Sequence, residues 1–351
     1  MTTGSIIFTD NFKTDIRSVL AEGRYDNVFI LTDDNVHTIY GTAVAAALDI
    51  PATHIITIPH GDDNKNLESL TTVWQHLCSS GATRRSCLVN IGGGMITDLG
   101  GFAASTFKRG IHFINVPTTL LAMVDASSGG KTGINFNGLK NEIGAFSQPR
   151  AVIVHAPFLD TCDDANFLSG YAEMIKHALI DGNDMWKDIL SHDLTRRSTL
   201  PMLPMISASV AVKQRIVRED PCEQHLRKIL NLGHTFGHAF ETLSHMRSEG
   251  ILHGYAVAYG LVCELFLSTM LLSFPTEKMR QTVRFIRDNY GTFSFTCNDY
   301  ETLLSLMRHD KKNTAGHINF ALLSDIGTPQ IDCHATKDDI FEAFDFLREA
   351  L

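Results

Sequence analysis

The sequence predicts an α/β N-terminal half built on a parallel sheet, followed by an all-α C-terminal half. Two observations carry this. Up to about residue 157, short β-branched and aromatic runs alternate with helical stretches, the signature of βαβ units around a parallel sheet. Beyond it, strand-like runs become rare and amphipathic helical patterns dominate. The expected division is 1–157 and 158–351. Composition agrees with ordinary globular cores: of 351 residues, 44% are hydrophobic and 20% charged.

The strand candidates are, in order, 27–32 (NVFILT), 52–58 (ATHIITI), 87–91 (CLVNI), 110–116 (GIHFINV) and 151–154 (AVIV). Helical stretches at 36–48 and 67–78 lie between them. In the second half the helical patterns cover 171–181, 205–218, 234–244 and 254–272, and only 317–323 (HINFALL) looks extended. The longest apolar stretch, 254–274, carries Glu264 near its middle. A charge there is costly in hydrocarbon, so a buried core helix is expected rather than a membrane span.

The net charge of −9 argues against a broad nucleic-acid-binding surface, which needs clustered positive charge. The N-terminal MTTGSIIFTD lacks the basic and apolar regions of a secretory signal. Seven cysteines, an odd number without a CxxC pair, argue against a disulfide framework. A cytoplasmic protein is expected.

Gly92-Gly93-Gly94 follows the third strand candidate and precedes a helical pattern. Such a turn lets backbone approach a ligand, and the helix N-terminus after it favours a pyrophosphate. The spacing is not GxGxxG, and a tight βα turn is the plainer alternative. Asp33 and Asn35, after the first strand candidate, suit either ribose binding or helix capping. The stretch 117–144 is dense in Gly, small residues and hydroxyls, with charges at Asp125, Lys131 and Lys140. It reads as a ligand-facing loop in which Lys131 and Asn141 can hold a phosphate.

His234 and His238 lie four residues apart, on one helical face. With His253 and Glu173, two of the three histidines and the carboxylate make a catalytic divalent-metal set; spacing alone does not choose the two. Lys176, Lys213, Asp220, Glu223 and Arg227 surround these motifs in sequence. The cations among them suit an anionic substrate.

These stretches identify a resemblance. GGGMITDLGGFAASTFKRG, VPTTLLAMVDASSGGKTGIN, LKNEIGAF, SGYAEMIKHALI, LRKILNLGHTFGHAFE, LHGYAVAYG and DKKNTAGHINFALL occur in the order found in the 3-dehydroquinate synthase family, from about residue 27 to 326. The resemblance implies a Rossmann-like NAD domain and an α-helical metal domain, with the active site in the cleft. The substrate implied is 3-deoxy-D-arabino-heptulosonate 7-phosphate. The implied reaction is NAD-mediated transient oxidation, phosphate elimination, reduction, ring opening and aldol closure. The implied ligands of a zinc or cobalt ion are Glu173, His234 and His253. NAD contacts fall on Asp33, Asn35, Asp62, Lys65, Gly92, Gly93, Gly94, Asp98, Thr118, Thr119, Lys140, Phe158 and Thr161. Substrate contacts fall on Asp125, Lys131, Asn141, Lys176, Lys213, Arg227, Asn231 and His238, with Lys311 or Lys312. His238, Glu223, Lys176 and Asp125 are the implied catalytic groups. Arg109 matches an arginine that reaches the phosphate from a neighbouring subunit, implying a homodimer.

Two positions depart from the family pattern. PGExxK reads His60-Gly61-Asp62-Asp63-Asn64-Lys65, with Asp62 one methylene shorter than Glu, and His155-Ala156 stands where an acidic residue is common. A sister sugar-phosphate cyclase of the valiolone type and a metal-dependent glycerol or alcohol dehydrogenase share the two-domain plan and are the alternatives.

Overall fold

The computed structural model describes residues 4–137, 139–195, 199–308 and 318–350, the side chains at 199–201 excepted. Two compact units divide the chain. One holds the residues up to Cys162 and the first part of a later helix, to Val210. The other takes the chain from Asp163 and the remainder of that helix from Ala211. The sequence-based boundary at 157/158 lies five residues before this division.

The first unit is built on β1 (Ser5–Phe8), α1 (Phe12–Gly23), β2 (Val28–Asp33), α2 (Asp34–Val36), α3 (Thr42–Leu48), β3 (Ile55–Ile58) and α4 (Leu67–Ser79). It continues through β4 (Cys87–Gly92), α5 (Gly94–Thr106), β5 (His112–Pro117), β6 (Lys131–Phe136), β7 (Leu139–Phe146) and β8 (Ala151–Val154). Six strands form a sheet in the order β1-β8-β5-β4-β2-β3, every neighbouring pair parallel. β4 is buried along its whole length, as a strand covered on both faces must be. Its register sets Leu31 of β2 beside Asn90, and Asn90 beside Asn115 of β5. The Asn90 amide donates to Asn115 Oδ1 at 2.9 Å, and the Asn115 amide donates to the Ser127 carbonyl at 3.1 Å. This buried pair anchors the segment after β5 to the middle of the sheet.

The strand order reverses at β2: β3 lies on one side of it and β4 on the other. In parallel sheets such a switch opens a crevice at the carboxyl ends of the two central strands. Asp33 ends β2, and Gly92-Gly93-Gly94 ends β4 and starts α5.

Two features of this unit differ from the sequence expectation. β1 is a four-residue edge strand, too short to show a pattern. The stretch 117–144, expected as a loop, contains most of the antiparallel hairpin β6–β7. Nearly all of β7 is exposed, so no apolar alternation marks it.

The second unit is helical: α6 (Asp164–Asp181), α7 (Asn183–Ser191), the later part of α8 (Thr199–Glu219), α9 (His234–Met246), α10 (His253–Leu272), α11 (Thr276–Tyr290), α12 (Tyr300–Arg308) and α13 (Lys337–Ala350). The expected helical half also carries one small antiparallel hairpin, β9 (Phe320–Asp325) with β10 (Thr328–Cys333). Its first strand overlaps the run that looked extended in sequence.

α10 is long and apolar enough to cross a membrane, and it is buried at nearly every position from Gly254 to Ser268, the pattern of a core helix. Glu264, fully buried at its middle, has a structural partner. Its carboxylate accepts the backbone N–H groups of Gly233 at 2.5 Å and Thr235 at 3.1 Å. These are donors that the start of α9 leaves without intrahelical acceptors. A carboxylate there also faces the positive end of the helix. Glu264→Leu strands both donors in the core, and we expect it to lower the unfolding free energy by about 2–4 kcal/mol, read from the urea denaturation midpoint.

Candidate metal centre and active site

Three helices of the second unit meet through glycines. A Cβ at Gly254 of α10 would stand 1.9 Å from the Ser169 carbonyl of α6, and one at Gly260 would stand 1.9 Å from the Gly233 carbonyl at the start of α9. No side chain fits at either point, so backbone lies on backbone. Ser169 Oγ also accepts the Gly254 N–H at 3.0 Å.

This packing brings Glu173 of α6 to His234 and His253, the first residues of α9 and α10. Glu173 Oε1 lies 3.5 Å from His234 Nε2 and 3.7 Å from His253 Nε2. One ligand atom from each residue falls within 4.8 Å of the others. Two donors held about 2.1 Å from a tetrahedral ion stand about 3.4 Å apart, so the spacing suits a zinc-sized ion. Glu173 is fully buried, and its Oε1, the oxygen nearest the two rings, accepts no hydrogen bond among the described residues. The Lys176 ammonium forms an ion pair with it from one turn along α6. His234 and His253 keep 12% and 31% of their side chains exposed, leaving one side open.

The far nitrogens of both rings are engaged. His234 Nδ1 lies 3.1 Å from the Leu232 carbonyl, and His253 Nδ1 lies 3.4 Å from Glu241 Oε2. A proton on each Nδ1 leaves each Nε2 lone pair directed at the ligand position, the arrangement that metal-binding histidines need. His238 lies beside them, with ring centroids 5.4 Å from His234 and 6.0 Å from His253.

The segment between α8 and α9 folds around Asp220. Its carboxylate accepts the N–H groups of Gln224 at 3.0 Å, His225 at 2.7 Å and Arg227 at 3.1 Å. Burial opposes ionisation of Asp220, but these donors outweigh it and hold the carboxyl below its ordinary range. The resulting turn presents Glu223 in a left-handed conformation, and Glu223 Oε1 accepts the Asn231 side-chain amide at 3.0 Å. Arg227 is buried, and its guanidinium donates to the Pro221 carbonyl at 2.7 Å. Lys213 of α8 is buried as well.

In the first unit, the positions expected to meet a cofactor gather at the carboxyl ends of β2, β4, β5 and β8. Asp33 caps the following helix, its Oδ1 accepting the Val36 N–H at 2.8 Å, and burial pushes its carboxyl up. Asn35 follows on the same turn. Gly93 caps α5, and the Gly92 carbonyl accepts the Thr118 N–H at 3.0 Å. Thr119 Oγ1 accepts the Ala122 N–H at 3.3 Å. Phe158 packs edge-on to Phe12 and Tyr40, and Thr161 Oγ1 lies 2.7 Å from the Tyr40 hydroxyl.

A polar network joins the 60–66 loop to α5 and the hairpin. The buried Lys65 ammonium donates to Asp98 Oδ2 and Asn141 Oδ1, each at 2.5 Å. Lys140 Nζ lies 3.2 Å from Asp62 Oδ2. Burial works against the Asp62 charge, but Lys140 and Lys65 outweigh it and lower its pKa. The shorter Asp62 side chain thus still reaches Lys140. Asn141, grouped by the resemblance with the substrate, bonds the same ammonium as Asp98. Lys131 starts β6 with its side chain exposed, and Asp125 sits half-buried in the turn Ala122–Ala126. Arg109 closes a turn in which Lys108, Arg109 and Gly110 all have positive φ. Lys311 and Lys312 lie outside the described residues.

Sequence reasoning missed Glu241 and the structural role of Asp220. Glu241 follows His234 by seven residues and His238 by three, the spacing of one helical face, so His234, His238 and Glu241 form a readable triplet.

The chain matches the models of the 3-dehydroquinate synthase N-terminal region over residues 55–169 and of its C-terminal region over residues 170–313. A curated 3-dehydroquinate synthase from Parabacteroides distasonis is 49% identical, across 100% of this chain and 99% of its own length. One from Leptospira interrogans is 39% identical, across 90% of this chain and 88% of its own. Among solved structures, 2-deoxy-scyllo-inosose synthase complexed with carbaglucose-6-phosphate, NAD+ and Co2+ has a TM-score of 0.86 at 24% identity, covering 99% of this chain and 96% of that one. The 2-epi-5-epi-valiolone synthase of Streptomyces hygroscopicus, with NAD+ and Zn2+ bound, has a TM-score of 0.89 at 22% identity, covering 99% and 98%. These two share the fold. With a full-length relative at 49% identity and family models spanning 55–313, the chain belongs to the 3-dehydroquinate synthase family.

Proposed function

We propose that this protein is a 3-dehydroquinate synthase, converting 3-deoxy-D-arabino-heptulosonate 7-phosphate to 3-dehydroquinate and phosphate in the shikimate route to aromatic amino acids. The observation that carries the reading is the end-to-end match at 49% identity. When bound, NAD supplies a reversible hydride acceptor, and a zinc or cobalt ion supplies the Lewis acid that steadies negative charge developing on substrate hydroxyls.

The chain's own residues do the rest. Glu173, His234 and His253 hold the ion, and Lys176 tempers the charge of the Glu173 carboxylate. Arg227, anchored at the Asp220 turn, offers the substrate carboxylate a planar fork of donors. Lys213 joins Arg227 at the carboxylate, Lys131 and Asn141 hold the phosphate, and Lys311 or Lys312 adds a further substrate contact. Asn231 is oriented by Glu223 to bond a substrate hydroxyl. His238 moves a proton at the substrate, with Glu223 and Asp125 as the acidic groups of the relay. Holding one substrate in place through successive steps supplies much of the rate.

For the cofactor, the 1–157 region is the NAD-binding domain and 158–351 the metal and substrate domain. Gly92, Gly93 and Gly94 admit the pyrophosphate to the α5 N-terminus. Asp33, Asn35, Thr118, Thr119, Phe158 and Thr161 line its approach, with Asp62, Lys65, Asp98 and Lys140 as the polar network beside it. The same reading has the enzyme cytoplasmic and homodimeric, with Arg109 offered to the neighbouring subunit. The seven cysteines, an odd number, widely spaced and without a CxxC pair, fit a reducing compartment. The exposed Phe136, Leu139, Ile143 and Phe146 of the β6–β7 hairpin support self-association.

Heptulosonate phosphate incubated with the protein, NAD and zinc should release phosphate without lasting absorbance at 340 nm. A chelator should stop the reaction, and zinc or cobalt should restore it. Turnover of sedoheptulose 7-phosphate alone would move the protein to the sister cyclases, and accumulating NADH would make it a dehydrogenase. Glu173→Gln should lower kcat by more than about 100-fold and empty the metal site by elemental analysis, with NAD affinity kept. Arg227→Lys, which loses the fork, should raise KM about 10–100-fold with a smaller change in kcat.

A further inference from the structure

We propose that Glu241 is a positioning residue for the metal centre: it fixes the tautomer and ring angle of His253, and thereby sets how tightly the ion is held. The inference rests on reading Glu173, His234 and His253 as the metal donors.

The His253 ring sits between two carboxylates. Its Nε2 lies 3.7 Å from Glu173 Oε1, and its Nδ1 lies 3.4 Å from Glu241 Oε2. An imidazole that gives an Nε2 lone pair to a cation must carry its proton on Nδ1. Glu241 Oε2 is placed to accept that proton's hydrogen bond. The two ring-bearing donors differ in this respect. His234 is steered by a neutral carbonyl two residues earlier in its own chain segment, at 3.1 Å. His253 is steered by a charged group on another helix. His253 is also the more exposed of the two, so it has more freedom to turn.

Glu241 itself is buried. A buried carboxylate needs partners to offset lost water, and the His253 ring is one of those Glu241 has. A carboxylate behind the ring makes the imidazole a stronger donor and adds negative charge to a site that must hold a dication. Its position follows from the packing: α9 carries His234 on its first turn and Glu241 two turns later, and the glycine contacts hold α10 along α9, so His253 arrives between them.

The test is metal affinity, measured without turnover. Purified metal-free parent, Glu241→Gln, Glu241→Asp and Glu173→Gln proteins are titrated with Co2+ against a chromophoric chelator. The visible Co2+ spectrum, NAD affinity and thermal melting of each metal-free form are recorded alongside. Glu241→Gln should weaken Co2+ binding about 10–100-fold and shift the Co2+ bands, with NAD affinity unchanged. Glu241→Asp keeps the charge but withdraws it by one methylene, and should fall between parent and Glu241→Gln. If Glu241→Gln does not fold, the Asp variant decides the question on the same scale. Parent-like Co2+ affinity in both Glu241 variants, with binding lost in Glu173→Gln, overturns the proposal and leaves the metal centre standing. Parent-like affinity in Glu173→Gln overturns the metal reading and this proposal with it.

Discussion

The helical unit depends on a place where helices come closer than any side chain allows. The backbone of α10 touches the Ser169 carbonyl of α6 at Gly254 and the Gly233 carbonyl before α9 at Gly260. Contacts of this kind leave almost no freedom in the relative height of the helices, because sliding either one drives an α-carbon into a carbonyl oxygen. Glu264 then ties the opening turn of α9 to the middle of α10 through two backbone N–H groups. His234 and His253 are the first residues of these two helices, so their positions are set by main-chain packing. Side-chain adjustment is left only to aim the rings, through Leu232 and Glu241.

Within the helical unit the protein buries positive charge that its overall balance of −9 would not suggest. Lys176, Lys213 and Arg227 are all buried there. Lys176 meets Glu173 and Arg227 meets the Pro221 carbonyl, and in the sheet-bearing unit Lys65 likewise meets Asp98. Buried cations persist only where such partners compensate for lost water.

Much of this was readable from residues alone, and the limits were physical. The buried strands and α10 announced themselves as continuous apolar runs, because elements covered on all sides carry no polar face. Glu264 was visible as a misplaced charge, but its partners are main-chain N–H groups, which sequence does not display. The β6–β7 hairpin was hidden because its outer strand is exposed. Asp33 had two readings, and its cap to Val36 is the one with a distance attached. The His pair left three candidates for two places, since helical spacing fixes a face and not a partner. What brings Glu173 to His234 and His253 is tertiary, a matter of backbone contacts at Gly254 and Gly260 that no local pattern reveals.

Neither compact unit is a single stretch of chain. The sheet-bearing unit is left at Cys162 and entered again by the first part of α8, up to Val210, before the chain departs for good. A ribosome that has released all six strands has therefore not finished the domain that contains them. The nascent sheet must wait for forty-eight further residues, most of which belong elsewhere, before its last helical segment is available. Vectorial synthesis thus couples the completion of the first unit to the start of the second.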